Sequence, residues 1–233
     1  MNMEPNNIAI IGTSGAIGGA LAQVFSSKYP HAEVHTFSQH GPDFIDYNDE
    51  KSIESAALAA SKNSLFDLVI VANGILHDAH IMPEKSLKEL SSEKFHRVFA
   101  ANTITPAMIG KYFIPKLKKT TPAVFAALSA RVGSISDNRL GGWYAYRSSK
   151  AALNMIIKNA AIEVARYNKQ AVIVGLHPGT VDSKLSKPYQ GHVSPNKLFT
   201  PEESATKLHN VILSLTPSQT GQCFDWNGEL ILP

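Results

Sequence analysis

Two side chains four residues apart, Tyr146 and Lys150, have the types and the spacing for acid–base chemistry. A helix that starts near Trp143 would place them on one face, with the phenol and the ammonium side by side. A free phenol has a pKa of about 10, and a fixed cation nearby lowers that pKa. The pair therefore suits proton transfer to or from a carbonyl or an alcohol. An ordinary amphipathic helix can also carry this spacing by chance, so the rest of the chain has to decide.

A glycine-rich turn follows the first apolar segment. Residues 8–11 are typical of a buried strand, and residues 20–25 are typical of a helix. Glycines between a strand and a helix permit close approach of a pyrophosphate, which the helix N-terminus binds. A plain tight turn is the alternative. The candidate nucleotide contacts are Gly12, Ser14, Gly15, Ala16, Ile17 and Gly18, spaced G-x-x-G-x-x-G, or with three residues between Gly15 and Gly19.

The second predicted strand, residues 31–37, bears on the choice between NAD and NADP. Sites that prefer NAD usually have an acid about 20 residues past the glycines, on the ribose hydroxyls. Here Ser38, Gln39 and His40 follow the strand, with no acid to repel a 2′-phosphate and no arginine to bind one. The sequence therefore favours NADP, with NAD as the alternative, and makes these three residues candidate contacts.

Polar residues lie at the ends of two more predicted strands. A short third strand at 44–47 would bring Asp46 to the adenine edge, although Asp46 could equally be an acid at a helix N-terminus. Residues 66–72 form a near-continuous apolar run, as expected of a parallel strand buried on both faces. That run ends in Asn73-Gly74, where a cofactor could pass close to the backbone.

A long helix predicted from Ser91 carries Asn102 among apolar residues, with a local kink expected at Pro106. A polar amide on a buried helix face must find partners. Asn102 is therefore either a structural hydrogen-bonding residue or part of a site.

Strands and helices alternate along the chain, which predicts an α/β fold with a doubly wound, Rossmann-type parallel sheet and helices on both faces. We expect a single domain, residues 1–233. A cofactor in such a fold lies across the carboxyl ends of the strands. The turns that fall at these ends are the glycine turn, Asn73-Gly74, the region of Ser129 and Pro178-Gly179. This coincidence favours a site around the tyrosine–lysine pair.

A polar segment at about 184–200 precedes the final helix predicted from Pro201. A loop of this length inside a compact domain is often a lid over a site. The expected lining of the site is mixed apolar with one cation. It comprises Leu76, Arg131, Ile135, Leu140, Trp143 and the lid. Arg131 would either meet an acidic group of the substrate or anchor a loop.

Composition narrows the possible partners. The net charge is +3 with no basic block, which argues against nucleic acid as a partner. The nine histidines are scattered without metal-ligand spacing, so no metal is expected. The single cysteine, Cys223, excludes an intrachain disulfide. The polar start suggests no signal peptide, and no apolar run reaches membrane-spanning length. We therefore expect a cytoplasmic protein that is not bound to a membrane.

These motifs resemble those of the single-domain short-chain dehydrogenase/reductases, and the resemblance covers nearly the whole chain. Residues 131–135 and the ending 221–225 look closest to the C-factor and sniffer-like carbonyl reductases. The marks, in family order, are Gly12, Gly15 and Gly18, Ala72-Asn73-Gly74, Asn102, Tyr146 and Lys150, and Pro178-Gly179-Thr180.

The resemblance implies an NAD(P)H-dependent oxidoreductase that acts on a small, largely apolar carbonyl or alcohol, as a homodimer or homotetramer. Tyr146 would protonate the substrate oxygen. Lys150 would lower the tyrosine pKa and hold the nicotinamide ribose. Asn102 would keep a water-linked proton path. The backbone from Pro178 through Gly179 and Thr180 to Val181 would hold the carboxamide, and the nicotinamide itself would carry the hydride.

Three departures from the family pattern concern the site. The usual Ser-Ser pair after the fifth strand is Ser129-Ala130, so a catalytic hydroxyl must come from Ser129 or Ser134, or be absent. The usual Asn-Asn-Ala-Gly is Val71-Ala72-Asn73-Gly74, and Arg147 follows the tyrosine in place of a small residue. Because the serine hydroxyl polarises the carbonyl, its loss supports an alternative function. The chain would then be a nucleotide-binding sensor or signalling protein with weak or no turnover.

Overall fold

The computed structural model describes residues 4–41, 43–192, 194 and 197–233. A six-stranded parallel sheet in the order β2-β1-β3-β4-β5-β8 forms its centre. A parallel pair of two-residue strands, β6 and β7, lies apart from it. The strands are β1 (Asn7–Ile11), β2 (Glu33–Phe37), β3 (Leu68–Val71), β4 (Ala123–Leu128), β5 (Ala171–His177), β6 (Thr180–Val181), β7 (Leu198–Phe199) and β8 (Cys223–Asp225).

Helices cover both faces of this sheet. Side chains alternate along β1: Ile8 and Ile10 pack into the core beside α1 and α6, while Ala9 and Ile11 pack into the core beside α2, α4 and α5. Both faces are buried, which explains why the central strands β3 and β4 are apolar at every position. The predicted fold class is confirmed. The helices are α1 (Ala16–Lys28), α2 (Glu50–Ala60), α3 (Ser92–Phe99), α4 (Thr105–Phe113), α5 (Tyr144–Val164) and α6 (Pro201–Ser214).

The predicted third strand at 44–47 does not form. Only an isolated bridge joins Ser38 to Phe44. The Asp46 amide donates to Ser52 Oγ at 2.9 Å, so a side chain takes an amide that a strand would need. Asp46 is not the N-terminal acid of α2 either, because the cap of that helix is Asp49.

The long helix predicted from Ser91 is interrupted. A π-helical turn, Ala100–Ile104, separates α3 from α4 and carries Asn102. Pro106 follows this turn directly, and it has no amide hydrogen to bond to the preceding helical turn. The irregularity expected at Pro106 therefore takes the form of a π turn that carries Asn102. Such turns are frequently found at functional sites.

Within the described ranges, no helix combines the length and the apolar character needed to cross a bilayer.

Candidate active site

A cavity of about 380 Å³ opens at the carboxyl ends of β3, β4 and β5. The turns after these strands, the first turns of α5 and the segment 183–189 form its walls. Many of the predicted site residues line it: Ile17, Asn73, Gly74, Ser129, Tyr146, Lys150, Pro178, Gly179, Thr180 and Val181. Residues distant in sequence are thus brought to one place.

Tyr146 and Lys150 lie one turn apart on α5, as their spacing predicts. The Lys150 ammonium is 5.9 Å from the centroid of the tyrosine ring. Lys150 is only 3% exposed, and its Nζ donates to the Leu128 carbonyl oxygen at 2.8 Å. That carbonyl ends β4, so the sheet fixes the position of the cation beside the phenol.

Burial dominates the electrostatics of this pair. It lowers the pKa of Lys150 to about 8 and raises the pKa of Tyr146 to about 12. The tyrosine pKa is therefore raised overall, because burial disfavours the phenolate, and a lowering contribution from Lys150 stays a prediction. At neutral pH the phenol is protonated, which suits a proton donor.

Asn102 is fully buried and joins the segment after β3 to α5. Its Oδ1 accepts from the Ile75 amide at 2.7 Å, and its Nδ2 donates to the Ile75 carbonyl at 2.8 Å. The same Nδ2 lies 3.1 Å from Ser149 Oγ, which donates to the Tyr146 carbonyl oxygen at 2.7 Å. Asn102 thus has the structural role that its burial requires. Its part in a proton path remains a prediction.

Neither candidate serine offers a free hydroxyl to the cavity. Ser129 donates its hydroxyl proton to Asn154 Oδ1 at 2.7 Å. Ser134 lies outside the cavity lining, where its Oγ accepts from the Asp137 amide at 3.1 Å. Ala130 lines the cavity, and its side chain is only a methyl group. The prediction of Ser134 as a catalytic residue is therefore wrong. Ser129 lines the cavity, but its hydroxyl proton is already donated to Asn154.

The glycine turn fits a pyrophosphate. Gly12 has φ +92°, a backbone conformation that favours glycine. A Cβ there would also lie 2.8 Å from the Asn73 amide nitrogen, so both the conformation and the space exclude a side chain. A Cβ on Gly18 would collide with the Gly12 carbonyl. Helix α1 begins after Gly15 without a side-chain cap, which leaves its first amides for an anion. Ser14 and Ala16 are exposed beside these amides.

Two polar groups near this turn remain relevant to a dinucleotide. Asn73 donates through Nδ2 to the Ala101 carbonyl at 2.7 Å, while its buried Oδ1 has no partner in the described ranges. Ser38, at the end of β2, donates to the His40 carbonyl oxygen. The residues present therefore fit the two ends of a dinucleotide cofactor.

The predicted lid is folded onto the cavity. Residues 193, 195 and 196 of the segment predicted at 184–200 lie outside the described residues. His77 Nε2 is 3.1 Å from the Leu185 carbonyl oxygen. The Tyr189 ring is 4.9 Å from the Trp143 ring, which in turn is 6.2 Å from the Tyr146 ring. Sequence reasoning missed Tyr189, since only contacts across the fold place it beside the tyrosine–lysine pair.

The predicted lining is partly wrong. Leu76, Arg131 and Trp143 line the cavity, whereas Ile135 and Leu140 do not. These two side chains are 78% and 91% exposed. Arg131 Nη2 is 3.0 Å from the buried Asp225 carboxylate, so Arg131 anchors a loop, which is the second of the two predicted roles.

His177 also lines the cavity and was not predicted. It ends β5, and its Nδ1 is buried with no partner among the described residues. Burial lowers the pKa of His177 to about 4, with a smaller contribution from the Arg131 cation, so the ring is neutral at physiological pH. Across the described parts of the chain, no three histidine, cysteine or acidic side chains cluster as metal ligands.

Comparison with known proteins agrees with this geometry. The family model described as short chain dehydrogenase matches residues 42–193. A relative from Rhodococcus sp. (strain AD45), 1-hydroxy-2-glutathionyl-2-methyl-3-butene dehydrogenase, is 30% identical over 178 residues, or 76% of this chain and 74% of that one.

Two solved structures share the fold. NADPH-bound carbonyl reductase from chicken fatty liver has a TM-score of 0.82 at 22% identity, covering 99% of this chain and 100% of that chain. The carbonyl reductase Sniffer of D. melanogaster has a TM-score of 0.81 at 21% identity, covering 98% and 99%.

Proposed function

This chain belongs to the short-chain dehydrogenase family, and from that premise we propose that it reduces the carbonyl of a small, largely apolar substrate, or oxidises the corresponding alcohol, with NADP. One observation carries the proposal: Tyr146 and Lys150 share a single cavity with the turns that fit a dinucleotide. Those turns come from three different strands, which a chance tyrosine–lysine spacing would not explain.

The cofactor would lie along the carboxyl edge of the sheet. The pyrophosphate would bind the amides at the start of α1, with Gly12, Gly15 and Gly18 permitting its approach. Ser38 and Asp46 would meet the adenosine, Asn73 and Gly74 the cofactor where it crosses β3, and Lys150 the nicotinamide ribose. The backbone of Pro178–Val181 would hold the carboxamide. The three residues directly after β2, Ser38, Gln39 and His40, include no acid to repel a 2′-phosphate, and the chicken carbonyl reductase binds NADPH.

The chain's own residues would handle the proton. A bound reduced nicotinamide supplies the hydride that adds to the carbonyl carbon. The Tyr146 phenol would give its proton to the carbonyl oxygen, so that the C=O double bond becomes a C–O single bond with one new C–H and one new O–H bond. Lys150, charged below a pKa of about 8, stabilises the resulting phenolate until it regains a proton from solvent.

The cavity lining sets the substrate class. Leu76, Val132 and Trp143 supply apolar surface, and the cation of Arg131 is paired with Asp225. We therefore expect neutral, largely apolar carbonyl compounds rather than acids. The test is turnover of aldehydes, ketones and diones with NADPH and with NADH, beside matched keto acids. Reduction of neutral substrates with a preference for NADPH is expected, and absence of turnover across the panel would contradict the proposal.

The alternative, a nucleotide-binding sensor or signalling protein, draws on one observation. The hydroxyl usual in the family is replaced by the Ala130 methyl, and neither nearby serine replaces it. Calorimetry separates the two functions. Tight NADPH binding without turnover of any carbonyl would favour the sensor, whereas turnover favours the reductase.

We also propose that the chain self-associates through α4 and α5. A groove between these helices is lined by small and apolar residues that include Ala107, Gly110 and Ala160. Small residues allow two helices to approach closely. Sedimentation at micromolar concentration should show a dimer or tetramer, and a monomer would contradict this assembly.

A further inference from the structure

The cavity lacks a serine hydroxyl where the family pattern puts one. Position 130 carries a methyl group, and Ser129 turns its hydroxyl towards Asn154. A carbonyl that receives a hydride develops negative charge on oxygen, and a fixed hydrogen-bond donor beside it accelerates the reaction. If this chain turns over carbonyl compounds, a donor besides Tyr146 should reach the same space.

The lid brings a second phenol to the same cavity. Tyr189 belongs to the short 3₁₀ helix Lys187–His192 and lines the same cavity as Ala130, Tyr146 and Lys150. Its ring packs at 4.9 Å against Trp143 and at 5.8 Å against His77. These aromatic contacts hold the ring at the wall of the cavity.

The Tyr189 hydroxyl oxygen is buried, and it makes no hydrogen bond to any of the described residues. A buried polar group without a partner is unfavourable and calls for an explanation. A substrate oxygen in the cavity would provide the missing partner.

We propose that Tyr189 donates the hydrogen bond that polarises the substrate carbonyl, in place of the serine hydroxyl absent at position 130. This inference rests on the proposed reductase function and adds to it. Tyr146 remains the proton donor.

The protonation state of Tyr189 agrees with this role. Burial raises the pKa of Tyr189, so the hydroxyl keeps its proton at neutral pH. Two other cavity residues have a buried polar atom without a partner among the described residues, Asn73 and His177. The unpartnered atom of Asn73 is its amide oxygen, which accepts hydrogen bonds and cannot donate one. His177 lies at the end of β5 near the Arg131 and Asp225 charges, rather than on the lid.

The test removes the hydroxyl at position 189 and then adds one at position 130. Tyr189→Phe removes the donor and keeps the ring, and we expect kcat to fall by about 10²-fold, while the KM for the carbonyl and the Kd for NADPH change less than about twofold. Ala130→Ser in the Tyr189→Phe background should restore kcat by at least about tenfold, because a serine hydroxyl then occupies the family position. Tyr112→Phe, which removes a hydroxyl bound to Glu50 away from the cavity, should leave kcat unchanged.

Four results would overturn the inference. Tyr189→Phe with wild-type kcat shows that the hydroxyl is not used. A loss confined to KM indicates packing of the substrate. A loss in kcat that Ala130→Ser does not reverse shows that no missing hydroxyl was replaced, and a matching loss in His177→Phe would identify that ring as the donor instead. Failure of the reductase function is distinguishable, because the wild type would then show no turnover at all.

Discussion

The ammonium of Lys150 donates its hydrogen bond to the Leu128 carbonyl oxygen at 2.8 Å, and not to the phenol of Tyr146. The last residue of β4 therefore holds the cation in place before any ligand arrives. Gly74 approaches from the other side, where an added Cβ would lie 3.4 Å from the ammonium and 3.1 Å from Asn102 Oδ1. The position of the cation is thus set by the end of β4 and by Gly74, whose lack of a side chain leaves room for it.

Removal of this cation should impair both the proton transfer from Tyr146 and the binding of NADPH. Lys150→Met should lower kcat by at least about 10²-fold, because the phenolate formed on Tyr146 loses its nearest positive charge. It should also weaken NADPH binding if the ribose contacts the ammonium. Steady-state kinetics and fluorescence titration of NADPH measure the two effects separately. Lys158→Met, on the same helix outside the cavity, is the matched control, and equal effects of both variants would argue against a specific role.

The activity should depend on pH through Lys150. Burial lowers its pKa to about 8, so the ammonium is lost as pH rises through that value. Tyr146, with a pKa of about 12, stays protonated throughout. We therefore predict that kcat/KM for carbonyl reduction is level below about pH 7 and falls above about pH 8. A rate that rises between pH 7 and 9 would contradict this assignment.

The loss of the Lys150 charge should stabilise the folded protein as pH rises, whereas it lowers the activity. The folded pKa of Lys150 lies below its ordinary value of 10.5, so the unfolded chain binds more protons between about pH 8 and 10.5. The unfolding free energy of the wild type should therefore rise over that range relative to Lys150→Met, by about 3 kcal/mol in total, since one pKa unit corresponds to about 1.4 kcal/mol. Urea unfolding at pH 7.5 and 10.5 measures it, and a pH-independent difference would contradict the burial cost.

Gly12→Ala should disrupt the nucleotide turn. The left-handed backbone at Gly12 and the 2.8 Å approach to Asn73 N both exclude a side chain. We expect destabilisation by about 1–3 kcal/mol and at least tenfold weaker NADPH binding. Thermal unfolding and calorimetry provide the measurements. Gly191→Ala, where no atom lies within 4 Å of an added Cβ, should change neither. A Gly12→Ala protein that binds NADPH normally would show that close approach is not required.

Asn102→Leu should destabilise the fold, because it removes the two hydrogen bonds between the Asn102 side chain and the Ile75 backbone. Both polar groups of that backbone lose their partner, and each unsatisfied group costs about 1–3 kcal/mol. We expect an unfolding free energy lower by about 2–5 kcal/mol in urea. Thr103→Val removes a single hydrogen bond, to the Ser149 carbonyl, and should cost less. Equal losses would indicate that packing rather than the amide is responsible.

Local patterns predict the fold and the cavity well. The strands are apolar because both faces are covered, and glycines mark turns where the backbone itself leaves no room, as at Gly12. Such signals are contained in a few neighbouring residues. The same holds for Tyr146 and Lys150, whose spacing alone places them one turn apart.

The remaining features depend on contacts that the sequence does not display. Ser129 turns from the cavity because Asn154, 25 residues later, accepts its hydroxyl. The raised pKa of Tyr146 follows from burial by the whole fold. Tyr189 reaches the site only because its segment docks on Trp143. No local pattern predicts these three features, and they are the ones that decide the chemistry.

The central claim is that the Tyr146 phenol donates the proton. Single-turnover reduction by the NADPH-loaded protein, monitored through loss of cofactor absorbance, tests it with Tyr146→Phe beside Tyr112→Phe. The account predicts that Tyr146→Phe binds NADPH with unchanged affinity and reduces the carbonyl at least about 10²-fold more slowly, while Tyr112→Phe matches the wild type. A Tyr146→Phe protein that transfers hydride at the wild-type rate would contradict it.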